Sequence, residues 1–315
     1  MQAIQFSQYG GPEVLKLADV EDPEPGPGQV RVSVRAVGVN PIEWKVRSGI
    51  MAQVRPLEFP AGLGVELSGV IDQLGGGVVE LGLGEEVLGY AVTPAYAELA
   101  VCNADDLVAR PGGISWEQGA AIPVGARTSY RVLDLLHPSP GETLLIHAAA
   151  GGVGIFATQF AIERGARVIG TASEANHEFL RSIGAVPVAY GEGLRERVLE
   201  IAPDGVDAVL DASGRGELPL SIELAGGPDR VVTIAAAQEA SQLGVRFSGG
   251  SGAVVDTHAA LTQAVDLLVA GRLQAPIWRT YPLADAAAAH AESERAHLRG
   301  KIVLTPDPYS AGYHS

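Results

Sequence analysis

Apolar and polar residues alternate strictly from Val30 to Ala36: Val30, Val32, Val34 and Ala36 are interleaved with Arg31, Ser33 and Arg35. A period of two marks a strand with one buried face. Pro23, Pro25, Gly26, Pro27 and Gly28, just before it, predict a turn or stiff connector. Shorter apolar runs at residues 67–71, 86–90 and 96–101 are each bounded by glycine or proline and predict further strands. Several short strands separated by turns imply a compact, barrel-like β-rich unit up to about residue 115.

Near residue 116 the pattern changes. Residues 143–147, 167–170, 187–190, 206–211 and 230–234 read as short buried strands, with helices at 152–164 and 176–183. Strands of this length separated by helices imply parallel βαβ units with both faces of the sheet covered. The final stretch predicts a helix over 258–270 and a closing strand at 301–304. The reading is thus an α/β chain whose domains divide as 1–118, 119–257 and 258–315, the last segment returning to the first domain.

Composition narrows the function classes. The 315 residues carry 22 basic and 37 acidic side chains, a net charge of −15. Nucleic-acid binders need cations to displace counterions from phosphates, so no nucleic acid is expected as a partner. The single cysteine, Cys102, allows neither an internal disulfide nor a cysteine-based zinc site, and the seven histidines show no ligand spacing. No apolar run is long enough to span a membrane and no leader pattern precedes the first strand, so a cytoplasmic globular protein is expected.

The most informative segment is Leu144-Leu145-Ile146-His147-Ala148-Ala149-Ala150-Gly151-Gly152-Val153-Gly154. An apolar strand runs into a glycine turn and straight into a helix, the arrangement that places a pyrophosphate on free N–H groups at a helix N-terminus. Against the G-x-G-x-x-G template the key positions are Ala149, Gly151 and Gly154, so two of three match. A glycine turn can also serve only to pack helix on strand. The strand before, the helix after and a second strand one crossover later favour a dinucleotide. An NAD site places Asp or Glu at the end of that second strand. Here the chain reads Gly170-Thr171-Ala172-Ser173, with Glu174 expected to point outward. His177 and Arg181, four apart, share a helix face, either toward a 2′-phosphate or toward solvent. The cofactor read from these residues is NADPH.

Ala148-Ala149-Ala150-Gly151-Gly152-Val153-Gly154, Gly38-Val39-Asn40-Pro41-Ile42-Glu43-Trp44-Lys45 and Arg299-Gly300-Lys301-Ile302-Val303-Leu304 together resemble the zinc-free medium-chain reductases, the quinone oxidoreductase and enone reductase branch. The resemblance covers nearly the whole chain. It implies a GroES-like catalytic domain interrupted by a Rossmann domain, NADPH as cofactor, and a homodimer joined edge to edge through Rossmann sheets. It also implies that Ala150, Gly151, Gly152 and Val153 meet the pyrophosphate and that Ser173, His177 and Tyr190 meet the 2′-phosphate end. Asn40 and Thr128 would lie beside the nicotinamide, with Ile234 and Phe247 bordering the same pocket. Two departures stand out. His177 replaces the family's usual lysine, and Asn40-x-x-Glu43-x-Lys45 replaces Asn-x-x-Asp-x-Tyr, which brings the chain nearer the enone and alkenal reductases. Asn40 and Val65 stand where zinc enzymes of the superfamily have ligands.

The substrate implied is a quinone or an α,β-unsaturated carbonyl, on whose oxygen negative charge grows as it is reduced. Lys45 is the candidate donor to that oxygen, and Asn40 would fix nicotinamide or substrate; the alternative for Lys45 is an exposed lysine that never meets substrate. Glu43 would either orient Lys45 or face solvent. Tyr130 and Tyr190 are the other proton donors that chemistry offers, but each reads as a packed aromatic rather than a catalytic acid; Trp44 reads as core or pocket wall. Residues 249–252 suggest a mobile glycine loop over the site. The alternative function is a non-enzymatic NADPH-binding sensor or structural protein of the same fold.

Overall fold

The computed structural model describes residues 1–249, 255–295 and 298–306. It divides into two compact units, Met1–Val124 with Thr257–Ala270 and the segment from Ala275 onward, and Gly125–Asp256 with Gly271–Gln274. The expected boundary at 118/119 lies inside the helix Trp116–Ala121, which belongs to the first unit.

The first unit is built on the long strand Gln29–Val39, whose alternation buries Val30, Val32, Val34 and Ala36. It pairs antiparallel with Glu66–Leu74, with Leu99–Asn103 and with the closing strand Lys301–Thr305. Glu86–Tyr90 and Leu107–Ala109 extend the sheet on one side, and Ile277–Pro282, parallel to Lys301–Thr305, on the other. A separate three-stranded sheet runs Lys16–Asp19, Gln2–Phe6, Ala61–Gly62. Valines and leucines from these strands form one core with Ile4, Phe6 and Tyr96. Tyr96 lies outside the strand expected at 96–101, which is Leu99–Asn103. Its ring is fully buried, and its backbone N–H and C=O bond to Leu63 and Ile4 in place of a regular ladder.

The second unit is a six-stranded, all-parallel sheet in the order Val186–Ala189, Arg167–Ala172, Thr143–His147, Ala208–Asp211, Val231–Thr233, Arg246–Phe247. Numbered along the unit this is 3-2-1-4-5-6, the doubly wound dinucleotide-binding order, whose crevice opens at the C-terminal ends of the central strands. Five of the strands were legible as apolar runs. The sixth, Arg246–Phe247, is a two-residue edge strand with both residues exposed, so it carries no apolar signature. The helix Pro123–Leu136 also went unread. Pro123 opens it, a position where the missing N–H costs nothing. No helix among the described residues is long and apolar enough to cross a membrane.

The contact between Thr143–His147 and the helix Gly152–Glu163 depends on Gly154. A Cβ there would collide with the Ala148 carbonyl and lie 2.6 Å from Ala149 Cα, both backbone atoms that cannot move aside. The first template glycine is replaced by Ala149 without strain because the facing residue is Gly170, where an added Cβ would meet Ala149 Cβ at 2.7 Å. One methyl occupies a space two could not share. Gly154→Ala is therefore expected to cost about 1–3 kcal/mol and lower the thermal midpoint. Gly113→Ala, where a Cβ would meet nothing within 4 Å, should leave it nearly unchanged in the same melting experiment.

Candidate functional site

In the second unit the buried strand Thr143–His147 delivers the chain to Ala148, held at φ +57, and to Gly151, the extended N-cap of the helix Gly152–Glu163. The cap is a glycine, so no side-chain oxygen covers the helix end. The first-turn N–H groups of a helix have no partner within it. Gly152, Val153 and Gly154 thus present donors and the positive end of a helix dipole, beside the buried Ala150. A Cβ at Gly151 would meet only the Ala148 carbonyl, at 3.2 Å, so the turn is open over its outer face. A diphosphate fits this cradle by chemistry and by space.

At the end of the second strand the chain turns through Ser173 into Glu174–Asn176 and the helix His177–Ser182. Glu174 is exposed, and Ser173 Oγ accepts from Asn176 Nδ2 at 3.2 Å. His177 is half-buried, with its Nε2 enclosed and without a hydrogen-bond partner among the described residues. Arg181 is exposed on the same short helix. Tyr190, 42% exposed, is not packed in a core; it sits just after the strand Val186–Ala189 ends. Thr128 is half-buried on Pro123–Leu136, Ile234 is half-buried with its N–H on the Asp211 carbonyl, and Phe247 is 43% exposed on the edge strand. Tyr130 is half-buried beneath the Arg164 guanidinium. Residues 250–252 of the expected glycine loop lie outside the described residues.

A polar layer that the sequence did not reveal underlies the central strand ends. Asp211, fully buried, accepts from the N–H groups of Ser213 and Gly214 at 2.9 and 3.0 Å and from Thr233 Oγ1 at 2.7 Å, fixing the loop after the fourth strand. His147 ends its strand fully buried, as expected there, within 3.1 Å of Ser221 Oγ and 3.4 Å of Thr171 Oγ1; burial holds its pKa down, so it is a neutral hydrogen-bonding group.

The second concentration of chemistry lies inside the first unit, around Asn40. The chain leaves the strand Gln29–Val39 and starts the helix Pro41–Arg47 with Asn40 as N-cap and Pro41 at its first turn. Glu43 reaches back to the Asn40 N–H, the acidic half of a capping box. The Asn40 amide joins its helix to two other segments. Its Nδ2 donates to Glu66 Oε1 at 2.7 Å and to Glu43 Oε1 at 3.3 Å, and its Oδ1 accepts from Lys301 Nζ. Lys301 Nζ also pairs with Glu66 Oε1 at 2.6 Å, and Glu66 Oε2 accepts from the Val124 N–H at 2.6 Å. Gly38 makes this possible: a Cβ there would occupy the Glu66 carboxylate and approach the Ala120 carbonyl to 2.7 Å.

Glu43 corrects an expectation. It neither orients Lys45 nor faces solvent; it is buried and bonded to Asn40 and to Tyr96 Oη at 3.3 Å. On a helix, residues two apart point to different sides. Lys45 accordingly sits half-exposed with its Nζ 5.7 Å from the Trp44 ring centre, and Trp44 is half-buried. Beyond Glu43, Tyr96 Oη lies 3.1 Å from His290 Nε2, and the buried Arg47 pairs with Glu294. Sequence reasoning missed Glu66, Lys301, Tyr96 and His290. The available signal was a charge at the very edge of an apolar strand run, at 66 and at 301. Among the described residues, no three His, Cys, Asp or Glu side chains converge on a space for a metal ion.

Burial pushes the Glu43 carboxyl up from 4.5 to about 8, with the Glu66 charge adding to it; burial and then Arg47 push His290 down from 6.5 to about 3. Between 4.5 and 8 the folded state keeps a proton on Glu43 that the unfolded chain releases, so this group makes stability fall as pH rises. Between 6.5 and 3 the unfolded chain takes up a proton that His290 refuses, so that group makes stability fall as pH drops. The two oppose one another from pH 4.5 to 6.5, and Glu43 alone governs from 6.5 to 8. Glu43→Gln is expected to flatten that upper limb, removing a decline on the order of 2 kcal/mol, as read from denaturant midpoints across pH.

The comparisons agree with this geometry. Residues 26–140 match the alcohol dehydrogenase GroES-like domain, and residues 184–304 match the family described as zinc-binding dehydrogenase. A quinone oxidoreductase of Pseudomonas aeruginosa is 36% identical over 326 residues, covering 96% of this chain and 99% of the relative. Among solved structures, the quinone oxidoreductase of Coxiella burnetii superposes with a TM-score of 0.85 at 33% identity, over 97% of this chain and 99% of the other. The Escherichia coli quinone oxidoreductase complexed with NADPH superposes with a TM-score of 0.87 at 28% identity, over 97% and 100%. With relatives of this identity matched along almost their full length, the chain belongs to the quinone oxidoreductase branch of the medium-chain dehydrogenase/reductase family.

Proposed function

We propose that this protein is an NADPH-dependent reductase of quinones and α,β-unsaturated carbonyls that works without a metal ion. The observation that carries the reading is the uncapped N-terminus of Gly152–Glu163, opened by Gly151 at the end of the first strand of a 3-2-1-4-5-6 sheet. Relatives named quinone oxidoreductases, one solved with NADPH, support it.

Gly152 and Val153 would hold the diphosphate through backbone N–H groups, with Gly151, whose own N–H bonds to the Ala148 carbonyl, forming the open turn beside them. Ser173, at the turn after the second strand, and His177, at the start of the helix that follows, would receive the 2′-phosphate, with Tyr190 just after the end of the neighbouring strand. When bound, NADPH supplies the hydride. The chain's own task is then to place the acceptor and stabilise negative charge on its oxygen. Lys45, released from Glu43 by the geometry of its helix, is the candidate donor to that oxygen; one such donor is worth about 3–4 kcal/mol of barrier. A quinone needs less help than an enone, because its reduced ring is aromatic. At the zinc-ligand positions of metal-dependent relatives the chain has Asn40, whose amide is fully engaged, and Val65, which cannot ligate. A cytoplasmic homodimer completes the proposal.

Loss of NADPH absorbance in the presence of naphthoquinones and enones is the direct test. Turnover with both is expected, with at least several-fold preference over NADH. Tight NADPH binding with no turnover across the panel would replace this reading with a non-enzymatic binding role. His177→Ala should weaken NADPH about tenfold in equilibrium binding while leaving NADH unchanged. Lys45→Ala should slow enone reduction by about a hundredfold and quinone reduction less, at constant NADPH affinity; equal rates for the variant and wild type would remove Lys45 from the mechanism.

A further inference from the structure

Within the first unit the helices Pro41–Arg47 and Ala286–Arg295 are joined by a row of three buried groups, Glu43, Tyr96 and His290. Tyr96 Oη lies 3.3 Å from Glu43 Oε2 and 3.1 Å from His290 Nε2, and its one proton can serve only one of them at a time. Burial keeps that phenol protonated, and burial with the Arg47 charge keeps the imidazole neutral. The Glu43 carboxyl meets Asn40 donors at both oxygens, the backbone N–H at Oε2 and Nδ2 at Oε1. Among the described residues, Tyr96 Oη is thus the acceptor left for a proton on Glu43. At the far end His290 Nδ1, like Arg47 Nε and Nη1, is buried without a hydrogen-bond partner among the described residues. His290 and Glu294 are four apart on one helix face, and Glu294 holds Arg47 through Nη2.

Such a row has two self-consistent proton arrangements. With Glu43 protonated, its O–H donates to Tyr96, Tyr96 donates to His290 Nε2, and the imidazole carries its proton on Nδ1. With Glu43 ionised, Tyr96 donates to the carboxylate and Nε2–H donates to Tyr96. Nδ1 is then left bare in the field of the Arg47 cation. We propose that Glu43, Tyr96 and His290 form a single-file proton relay, in which ionisation of Glu43 reverses the Tyr96 hydroxyl and moves the His290 proton from Nδ1 to Nε2. The Glu43 proton passes to Tyr96 Oη, the Tyr96 proton passes to Nε2, and the Nδ1 proton goes to solvent, so the net change is one proton released. A carboxyl on one helix thereby sets the tautomer of a neutral imidazole on another. Glu66 and Lys301 act on Glu43, Glu66 and Arg47 on Tyr96, and Arg47 on His290. On the elements packed against the two helices, Glu13, Arg279 and Asp285 are exposed, and Arg31, Arg35 and Lys45 are half-buried. The relay needs no cofactor or substrate and stands apart from the proposed reaction.

The test uses the full chain without added ligand, isotopically labelled at the histidine ring nitrogens, whose NMR shifts read which nitrogen carries the proton. The His290 signals are those missing from His290→Gln. In the wild type the Nδ1–H form is expected to outnumber Nε2–H about tenfold below the Glu43 midpoint of about 8, and the ratio to invert above it. Tyr96→Phe cuts the row while keeping the buried ring, and Glu43→Gln removes the proton at its origin. Each should hold the ratio constant within about twofold over the same range. A wild-type ratio that does not move with pH, an imidazole that gains charge in this range, or a response kept by either variant would overturn the relay. If Tyr96→Phe does not fold, Glu43→Gln decides alone.

Discussion

A carboxylate with none of its surface exposed is the constraint around which the first unit is arranged. Glu66 stands at the start of a central strand, and removing such a charge from water costs several kcal/mol unless a counter-charge and hydrogen bonds replace the lost hydration. Lys301, Asn40 and the Val124 N–H supply those replacements. Each is drawn from a different part of the chain, so meeting the needs of one side chain ties the closing strand, the head of Pro41–Arg47 and the segment after Trp116–Ala121 to a common point. Gly38 belongs to the same arrangement, since its missing side chain is the space the carboxylate occupies.

The second unit obeys a different rule, backbone proximity. A helix start that could receive a diphosphate needs unpaired N–H groups close against a strand, and glycine at 154 lets the two backbones approach. The Ala149 and Gly170 pair shows that the requirement is on shared volume and not on one residue: a methyl absent from one strand allows a methyl on the next. Beneath the strand ends Asp211 and His147 meet their partners internally, one as an acceptor of three hydrogen bonds and the other as a neutral imidazole.

Much of the architecture was legible along the chain because strand and helix periods are local. The alternation at Val30–Ala36 and the apolar runs at 143–147 and 206–211 identified strands to within three residues of their bounds. The glycines at 151–154 marked the passage from strand to helix for the same reason: a tight turn needs particular residues in consecutive positions. Elements without a local signature went unread, the exposed edge strand Arg246–Phe247 and the helix begun by Pro123 among them.

What the sequence by itself determined was the order of most elements, the family and the glycine turn that opens the helix after the first strand of the second unit. What only the tertiary structure decided was the role of each polar side chain near Asn40. Glu43 and Lys45, two apart in sequence, looked like a pair and point to different environments, while Asn40, Glu66 and Lys301 looked unrelated and share one bonded cluster. The physical reason is that a hydrogen bond between groups 26 or 261 residues apart leaves no periodic trace along the chain, and whether a charge is buried with its partner or left to water is settled only when the strands carrying it are packed together.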